Sequence, residues 1–371
     1  MNRRQRAIFW LHLGCGVVGG VVIFIMCVTG ALLSFEKNII EFAESDQRYV
    51  TASGERLPVN ELLNSVLEQK PNARPSSIAM QNDPSAAVTV AMGRGEGQVF
   101  VNPYTGEITG EGNATVRQFF RTTTDLHRYI ALSGDGRAIG KTITGACNLM
   151  FLFLAISGIY IWMPRQFTWN RLRPITWFRR TNSGKARDFN WHNTIGFWTS
   201  LVLIVLTVTA AVISYQWAGN LVYTLTGNEP PKQQGPPQSS GQRSDDPFKV
   251  PENIDALWST AATHTDRWQS ISMRLPAGKE AAFTIDEGKS LNKFGRSSLT
   301  LDAATASVTK WEPYLEQNSA RQIRSWMRFS HTGESFGLIG QFIGMVACIG
   351  GAFLVYTGMS LALRRFNGWR S

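Results

Sequence analysis

Histidine is the residue type in this 371-residue sequence with the clearest capacity for chemistry, and it occurs five times. Four of the five lie at the ends of long apolar blocks, at positions His12, His127, His192 and His331. A neutral imidazole is a common ligand for iron, copper and zinc. The fifth, His264, lies in a polar segment, where we expect it to be solvated or hydrogen-bonded. The four block-end histidines are therefore the candidate ligands.

These four histidines belong to an internal repeat. "RQFFRTTTDLH" (117–127) parallels "RQIRSWMRFSH" (321–331), with ten steps from arginine to histidine in both. A constant offset of 180 residues relates the first apolar block to the third, and it aligns His12 with His192, Gly16 with Gly196 and Thr29 with Thr209. Each repeated unit contains an apolar span, a polar segment, a histidine and a second span.

The repeat predicts that the histidines act in pairs. Two halves with the same orientation are related by an axis along the membrane normal, which pairs His12 with His192 and His127 with His331. Two facing imidazoles are the ligands of six-coordinate haem iron, and apolar helices suit a porphyrin. A closed zinc site needs more ligands, and copper is a weaker competitor. Because no C-x-x-C-H attachment signature is present, the sequence predicts two non-covalent b-type haems.

Haem also needs cationic partners for its propionates and space for the macrocycle. Arg128 and Arg328, together with Arg324, are the expected propionate partners near the outer pair. Near the inner pair the corresponding residues are Arg3, Arg4, Arg6 and Arg187, which positive-inside anchoring explains equally well. Glycines follow both His12 and His331. They suit either the approach of a macrocycle or close packing between helices.

Four apolar blocks are long enough to span a membrane, about 9–35, 138–163, 191–217 and 336–363. The excess positive charge is concentrated in the N-terminal tail, the loop 164–190 and the C-terminal tail. This distribution predicts that both termini and the loop lie in the cytoplasm. Nucleic-acid binding is not expected, since no binding motif accompanies the arginines. All four cysteines fall inside the blocks and are expected to be small buried residues.

The polar segments between the spans should lie outside, and each combines a helical pattern with short alternating strands. The predicted fold is a membrane α-helical protein, with four transmembrane helices in a parallel repeat and two small α+β domains. A stretch rich in Pro, Gln and Ser, 227–247, is predicted to be a flexible linker, with a mobile flap as the alternative. The predicted segments are 1–35 (tail and first span), 36–136 (first outside domain), 137–163 (second span), 164–190 (basic loop), 191–217 (third span), 218–335 (linker and second outside domain) and 336–371 (fourth span and tail).

The sequence resembles the PepSY-associated transmembrane helix family over nearly its whole length. The likeness rests on the doubled plan and on the motifs WLHLGCGVVGG, NWHNTIGFW, VNPYTGEI and FSHTGESFG. Within that family it resembles the siderophore reductases of the FoxB type, two-haem proteins of the bacterial inner membrane. The resemblance implies that the outside domains are PepSY-like and periplasmic. It also implies that the axial haem ligands are His12, His192, His127 and His331.

The activity implied by the resemblance is electron transfer across the membrane to a ferric siderophore, which releases iron in the periplasm. Hard oxygen donors hold Fe(III) more tightly than Fe(II), so one electron makes the iron exchangeable. The donor is expected to be a cytoplasmic reductase or a membrane quinol, because the sequence has no credible nicotinamide or flavin motif. Docking is expected near Arg117, Arg321, Trp326 and Tyr129.

Two other classes of function stay open at this point. A permease for a siderophore or small solute would also show parallel repeats, glycines within spans and a buried Lys141 that matches Gln341. A non-redox membrane scaffold would bind proteins through its outside domains, and its histidines would be incidental.

Overall fold

The computed structural model describes residues 2–93, 97–164, 166–181, 183–231, 248–288 and 294–367, so most of the predicted linker lies outside the described residues. The helices are α1 (Arg3–Leu33), α2 (Glu36–Ala43), α3 (Ser45–Arg48), α4 (Val59–Gln69), α5 (Ala114–Tyr129), α6 (Gly136–Trp162), α7 (Trp169–Thr176), α8 (Gly184–Ser214), α9 (Gln216–Leu225), α10 (Ile254–Thr263), α11 (Ser319–His331) and α12 (Gly337–Asn367). The strands are β1 (Pro75–Gln81), β2 (Val88–Met92), β3 (Gln98–Val101), β4 (Ile108–Gly110), β5 (Ser270–Arg274), β6 (Glu280–Asp286), β7 (Ser297–Asp302) and β8 (Val308–Glu312).

Four helices are long and apolar enough to cross a membrane: α1, α6, α8 and the stretch Glu334–Asn367 that contains α12. They confirm the four predicted spans, and the chain fits a multi-pass membrane protein. Apolar side chains such as Val18, Leu201 and Ile339 are largely exposed, as expected of helices surrounded by lipid. The third span, α8, begins at Gly184 instead of 191, which shortens the predicted loop 164–190. That loop also contains α7.

The four long helices pack as a ring, in which α1 and α8 each contact both α6 and α12. Small residues allow this close approach. A Cβ atom built at Gly19 would lie 3.3 Å from the Met150 sulfur, and one at Gly351 would lie 2.7 Å from the Cys27 sulfur. At Gly14, beside His12, nothing lies within 4 Å. The glycines after His12 therefore serve helix packing at one position and leave open space at another.

The strands form one continuous antiparallel sheet, in the order β4-β3-β2-β1-β5-β6-β7-β8. The sequence predicted two small α+β domains but not that their strands would pair: β1 lies next to β5, with Ile78 opposite Met273. Pairing is favoured because either strand alone would be an edge with unpaired backbone groups. One apolar core lies under both halves of the sheet and includes Leu62 and Val66 of α4 and Leu257 of α10.

The chain divides into two compact units at positions that differ from the predicted boundaries. The α+β unit comprises Lys37–Arg117 and Gly227–Ser325, and the helical unit comprises the described parts of Met1–Glu36, Gln118–Thr226 and Trp326–Ser371. The predicted outside domains, 36–136 and 218–335, extended further. Most of α5 and the end of α11 belong to the helical unit because they carry His127 and His331 back against the long helices.

A buried carboxylate joins the two ends of the first segment of the α+β unit, residues 37–117. Glu44 is fully buried, and its oxygens accept hydrogen bonds from Arg117 at 2.5 and 2.7 Å, from Arg48 at 2.8 Å and from the Asn113 amide at 2.9 Å. Burial opposes ionisation, but the hydrogen bonds from Arg117, Asn113 and Arg48 outweigh it and hold the pKa of Glu44 below its usual value.

Replacing Glu44 should therefore loosen this segment. We expect Glu44→Gln to cost about 3 kcal/mol of local stability, since two arginines lose a buried partner. Amide hydrogen exchange over 108–117 should accelerate about a hundredfold. Because the folded-state pKa is lowered, the stabilisation is present above pH ~4.3, the unfolded value, and is lost as the pH falls through the folded pKa. Asp46→Asn, at an exposed carboxylate nearby, is the control. Equal exchange in both variants would contradict the prediction.

Candidate functional site

Each of the four block-end histidines is held by a hydroxyl group on a neighbouring helix. All four bonds use the Nδ1 atom of the imidazole. The bonded pairs are His12 with Ser157 (2.8 Å), His192 with Thr357 (2.9 Å), His127 with Thr29 (2.8 Å) and His331 with Thr209 (3.1 Å). His12 and His192, in the N-terminal thirds of α1 and α8, thus bond to α6 and α12. His127 on α5 and His331 on α11 bond to α1 and α8.

The hydroxyl groups favour one tautomer of these rings. Each hydroxyl donates its single proton to a carbonyl four residues earlier in its own helix. The four donor bonds are Thr29 to Ile25, Ser157 to Phe153, Thr209 to Val205 and Thr357 to Phe353, at 2.6 to 2.8 Å. The hydroxyl oxygen can then only accept from Nδ1–H. In a neutral ring Nε2 carries no proton, so its lone pair is available to a metal.

A second observation supports this tautomer at one site. The Nδ1 atom of His331 also lies 3.0 Å from the carbonyl oxygen of Leu206. A carbonyl can accept but never donate a hydrogen bond, so Nδ1 must carry the proton.

The histidines influence one another in two sets of two. His12 and His192 interact electrostatically with one another, as do His127 and His331. Seventeen residues separate His12 from Thr29 on α1. At 1.5 Å per residue this places the two pairs about 26 Å apart along the helix. The outer pair therefore lies deeper in the bundle than the end of the first span.

The rings of the outer pair are deep in the protein but keep some accessible surface. Burial and the neighbouring His331 lower the pKa of His127 to about 4, and burial lowers the pKa of His331 as well. Both rings are nevertheless only half-buried. Each ring therefore keeps part of its surface free of contact with the rest of the protein.

Glycine residues leave room for the imidazole rings of His12 and His192. A Cβ atom built at Gly158 would lie 3.6 Å from the Cε1 atom of His12, and one at Gly358 would lie 3.3 Å from the same atom of His192. Each imidazole therefore lies directly against helix backbone, next to the hydroxyl residue that holds it. A side chain larger than hydrogen at either glycine would push against the ring.

The predicted arginines are exposed cations near the outer pair. Arg128 follows His127, with its guanidinium carbon 5.3 Å from the centre of the Tyr129 ring, and Arg328 lies 5.7 Å from that of Phe329. Within the described part of the chain, neither pairs with a carboxylate. At the inner end Arg365 lies 4.8 Å from the centre of the Trp10 ring, a cation that the sequence analysis did not single out.

Arg187, which the sequence predicted to lie near the inner pair, is already bound to a carboxylate. Asp188, one helical turn before His192, is buried and accepts hydrogen bonds from Arg187 at 2.9 Å, Arg364 at 3.1 Å and Ser360 at 2.8 Å. Together with the His192 bond to Thr357, these contacts join α8 to α12 over two turns. The repeat offers no signal for Asp188, because Ile8 occupies the matching position in the first half.

Several other expected residues have different surroundings. Lys141 is exposed, whereas the sequence analysis expected it to be buried; Gln341 is buried. Of the expected docking residues, Arg117 is bound to Glu44, and Trp326 is partly exposed and packs against Phe336. His264 contacts the Trp311 ring at 4.6 Å between ring centres, in the α+β unit.

Among the described residues, no group of three or more His, Cys, Asp or Glu side chains could hold a bare metal ion. A haem iron needs only two protein ligands, and the two histidine pairs supply that number. The hydroxyl partners were missed by the sequence analysis, although Thr29 and Thr209 are matched in the repeat. Ser157 and Thr357 are matched too, and each precedes a glycine.

Comparison with known proteins gives one family. No curated protein matches the sequence. A family model described as the PepSY-associated TM region matches residues 9–365, which is nearly the whole chain and includes all four paired histidines and their hydroxyl partners. The chain belongs to the PepSY-associated transmembrane region family.

Proposed function

We propose that this protein is a di-haem b-type oxidoreductase of the bacterial inner membrane, which passes electrons across the bilayer to reduce ferric siderophore at the periplasmic face. The observation that carries the proposal is the set of four imidazoles whose Nε2 lone pairs are left free by their Nδ1 hydrogen bonds. They occur as two pairs, at two levels of a bundle of apolar helices. A pair of such imidazoles is the ligand set of bis-histidine haem.

The residues present fit this group. His12 with His192, and His127 with His331, would hold the two irons, and Arg128 and Arg328 would neutralise propionates. The four hydroxyls orient the rings, while the apolar helices around them disfavour a charged imidazole. When bound, haem supplies one-electron redox chemistry. The chain's own contribution is therefore ligand geometry, a dry environment and charge balance.

The symmetry of the hydrogen bonds supports an internal repeat. Thr29 and Thr209 occupy the same place relative to His127 and His331, and the same holds for Ser157 and Thr357 relative to the inner histidines. We therefore propose two parallel halves, with PepSY-like segments in the periplasm and both termini in the cytoplasm. This orientation follows from the basic tails and loop.

The siderophore substrate rests on the family resemblance and on redox chemistry. Reduction to Fe(II) weakens binding by hard oxygen donors, so a single electron releases the metal. The donor would be a cytoplasmic reductase or a membrane quinol. A permease or a scaffold gives no reason for four histidines with the same tautomer, and the exposed Lys141 removes one argument for a polar pathway.

Absorption spectra of the purified protein test haem binding directly. We expect a Soret band, and split α and β bands after reduction with dithionite. His192→Ala and His331→Ala should each remove one of two haems, because each breaks a different ligand pair. His264→Ala, which changes the fifth histidine, should retain both. A colourless protein that takes up no haem would overturn the proposal, and loss of both haems in either variant would contradict the pairing.

The hydroxyl partners provide a finer test of the geometry. Thr357→Val should weaken haem binding at the inner site 10- to 100-fold, because the ring that it orients loses its acceptor. The outer site should be unchanged. Thr357→Ser should restore binding, and Thr142→Val, at an exposed hydroxyl bonded only to its own helix, should have no effect. Haem titration and redox potentiometry measure both sites. An unaltered inner site in Thr357→Val would count against the assigned tautomer.

Reoxidation of the dithionite-reduced protein tests the substrate. Ferric siderophores should oxidise the haem bands and deliver Fe(II) to a ferrous chelator. The matching gallium(III) complexes should not, since gallium(III) has the size and charge of the ferric ion but is not reduced. If proteoliposomes take up the gallium complexes while the haem bands stay reduced with the ferric ones, the protein is a permease.

A further inference from the structure

The segment between α6 and α8 has a surface unlike that of the rest of the helical unit. Residues 166–181, here called the interfacial segment, contain α7 and four largely exposed aromatic side chains: Phe167 (71%), Trp169 (65%), Trp177 (62%) and Phe178 (56%). Exposed aromatic rings so close together are unusual on a surface that faces only water. Tryptophan beside a transmembrane helix is typical of the headgroup layer of a bilayer.

Positive charge is interleaved with these rings. Arg171, Arg173, Arg179 and Arg180 are exposed, and none of them pairs with a carboxylate in the described part of the chain. The nearest acid along the sequence, Asp188, is buried and already bound by Arg187 and Arg364. The interfacial segment therefore presents four unneutralised guanidinium groups, each of which can form paired hydrogen bonds to a phosphate.

Hydrogen bonds hold the interfacial segment against the side of α8. The buried Asn190 side chain donates to the carbonyls of Pro174 at 3.0 Å and Trp177 at 3.2 Å, and accepts from the Arg179 amide at 2.8 Å. Further along α8, the indole of Trp198 donates to the Thr176 carbonyl at 3.0 Å. The segment thus lies along α8 between Asn190 and Trp198.

The position of Trp198 sets the depth of this contact. Trp198 lies 14 residues after the first residue of α8, about 21 Å along the helix. It is within the apolar stretch, and its side chain faces outward with 63% of its surface exposed. The bond to the Thr176 carbonyl therefore holds the end of α7 beside the apolar stretch of α8.

We propose that the interfacial segment binds anionic phospholipid. The arginines would contact the phosphates, while the aromatic rings enter the boundary between headgroups and acyl chains. A soluble acidic protein could match the charge but would have to reach rings that lie beside lipid, so the observations favour lipid. The inference does not depend on haem binding or on the reaction.

Binding of phosphatidylglycerol to the full-length purified protein, followed by native mass spectrometry, tests this inference. Each arginine near an anionic surface contributes about fivefold in affinity. The variant with Arg171→Gln, Arg173→Gln, Arg179→Gln and Arg180→Gln should therefore bind phosphatidylglycerol at least tenfold more weakly, with phosphatidylcholine binding unchanged. Replacing the same four arginines by lysine should preserve most of the affinity.

A matched control removes the same charge elsewhere. Arg74→Gln, Arg267→Gln, Arg274→Gln and Lys279→Gln change four exposed residues of the α+β unit and should leave lipid binding intact. Equal losses in both quadruple variants would overturn the proposal. In native membranes, a photo-crosslinking residue in place of Asn170 should attach to phospholipid. Attachment to a protein instead would identify a protein-docking surface and reject the lipid assignment.

Discussion

The site depends on one interaction that is repeated four times: an imidazole Nδ1–H donates to a hydroxyl whose own proton is committed to its helix backbone. In an apolar bundle a serine or threonine hydroxyl has few partners, and bonding to the carbonyl four residues earlier is the nearest one. Its oxygen is then an acceptor only. The helix backbone thereby determines which ring nitrogen is free, through a chain of two hydrogen bonds.

This interaction constrains the rest of the helical unit. The inner histidines lie on the long helices, whereas the outer ones lie on α5 and α11, which must return to α1 and α8 to find their hydroxyls. The return needs close packing at the start of α6, where a Cβ atom built at Gly140 would lie 2.1 Å from the Tyr129 carbonyl oxygen. At the start of α12, a Cβ atom built at Gly340 would lie 2.3 Å from the Gly333 carbonyl oxygen.

The sequence was sufficient to predict the four spans, but not the surroundings of the histidines. Long helices that are apolar on every side have few alternatives, and the repeat offset matches the histidines without any knowledge of packing. The hydroxyl partners depend on which faces of two helices meet, which sequence spacing does not specify. Lys141 shows this, since the repeat aligns it with the buried Gln341 while packing leaves it exposed. Glu44 and Arg117 meet across 73 residues for the same reason.

The single eight-stranded sheet was not predicted, because an alternating pattern identifies a strand but not the strand with which it pairs. Its central seam, where β1 runs antiparallel to β5 with Ala79 opposite Ser272, joins four strands from the first half of the chain to four from the second. Without this seam, β1 and β5 would each be an edge strand with a row of unpaired backbone groups. Neither set of four strands can therefore separate from the other without creating two new edges that could pair with other chains.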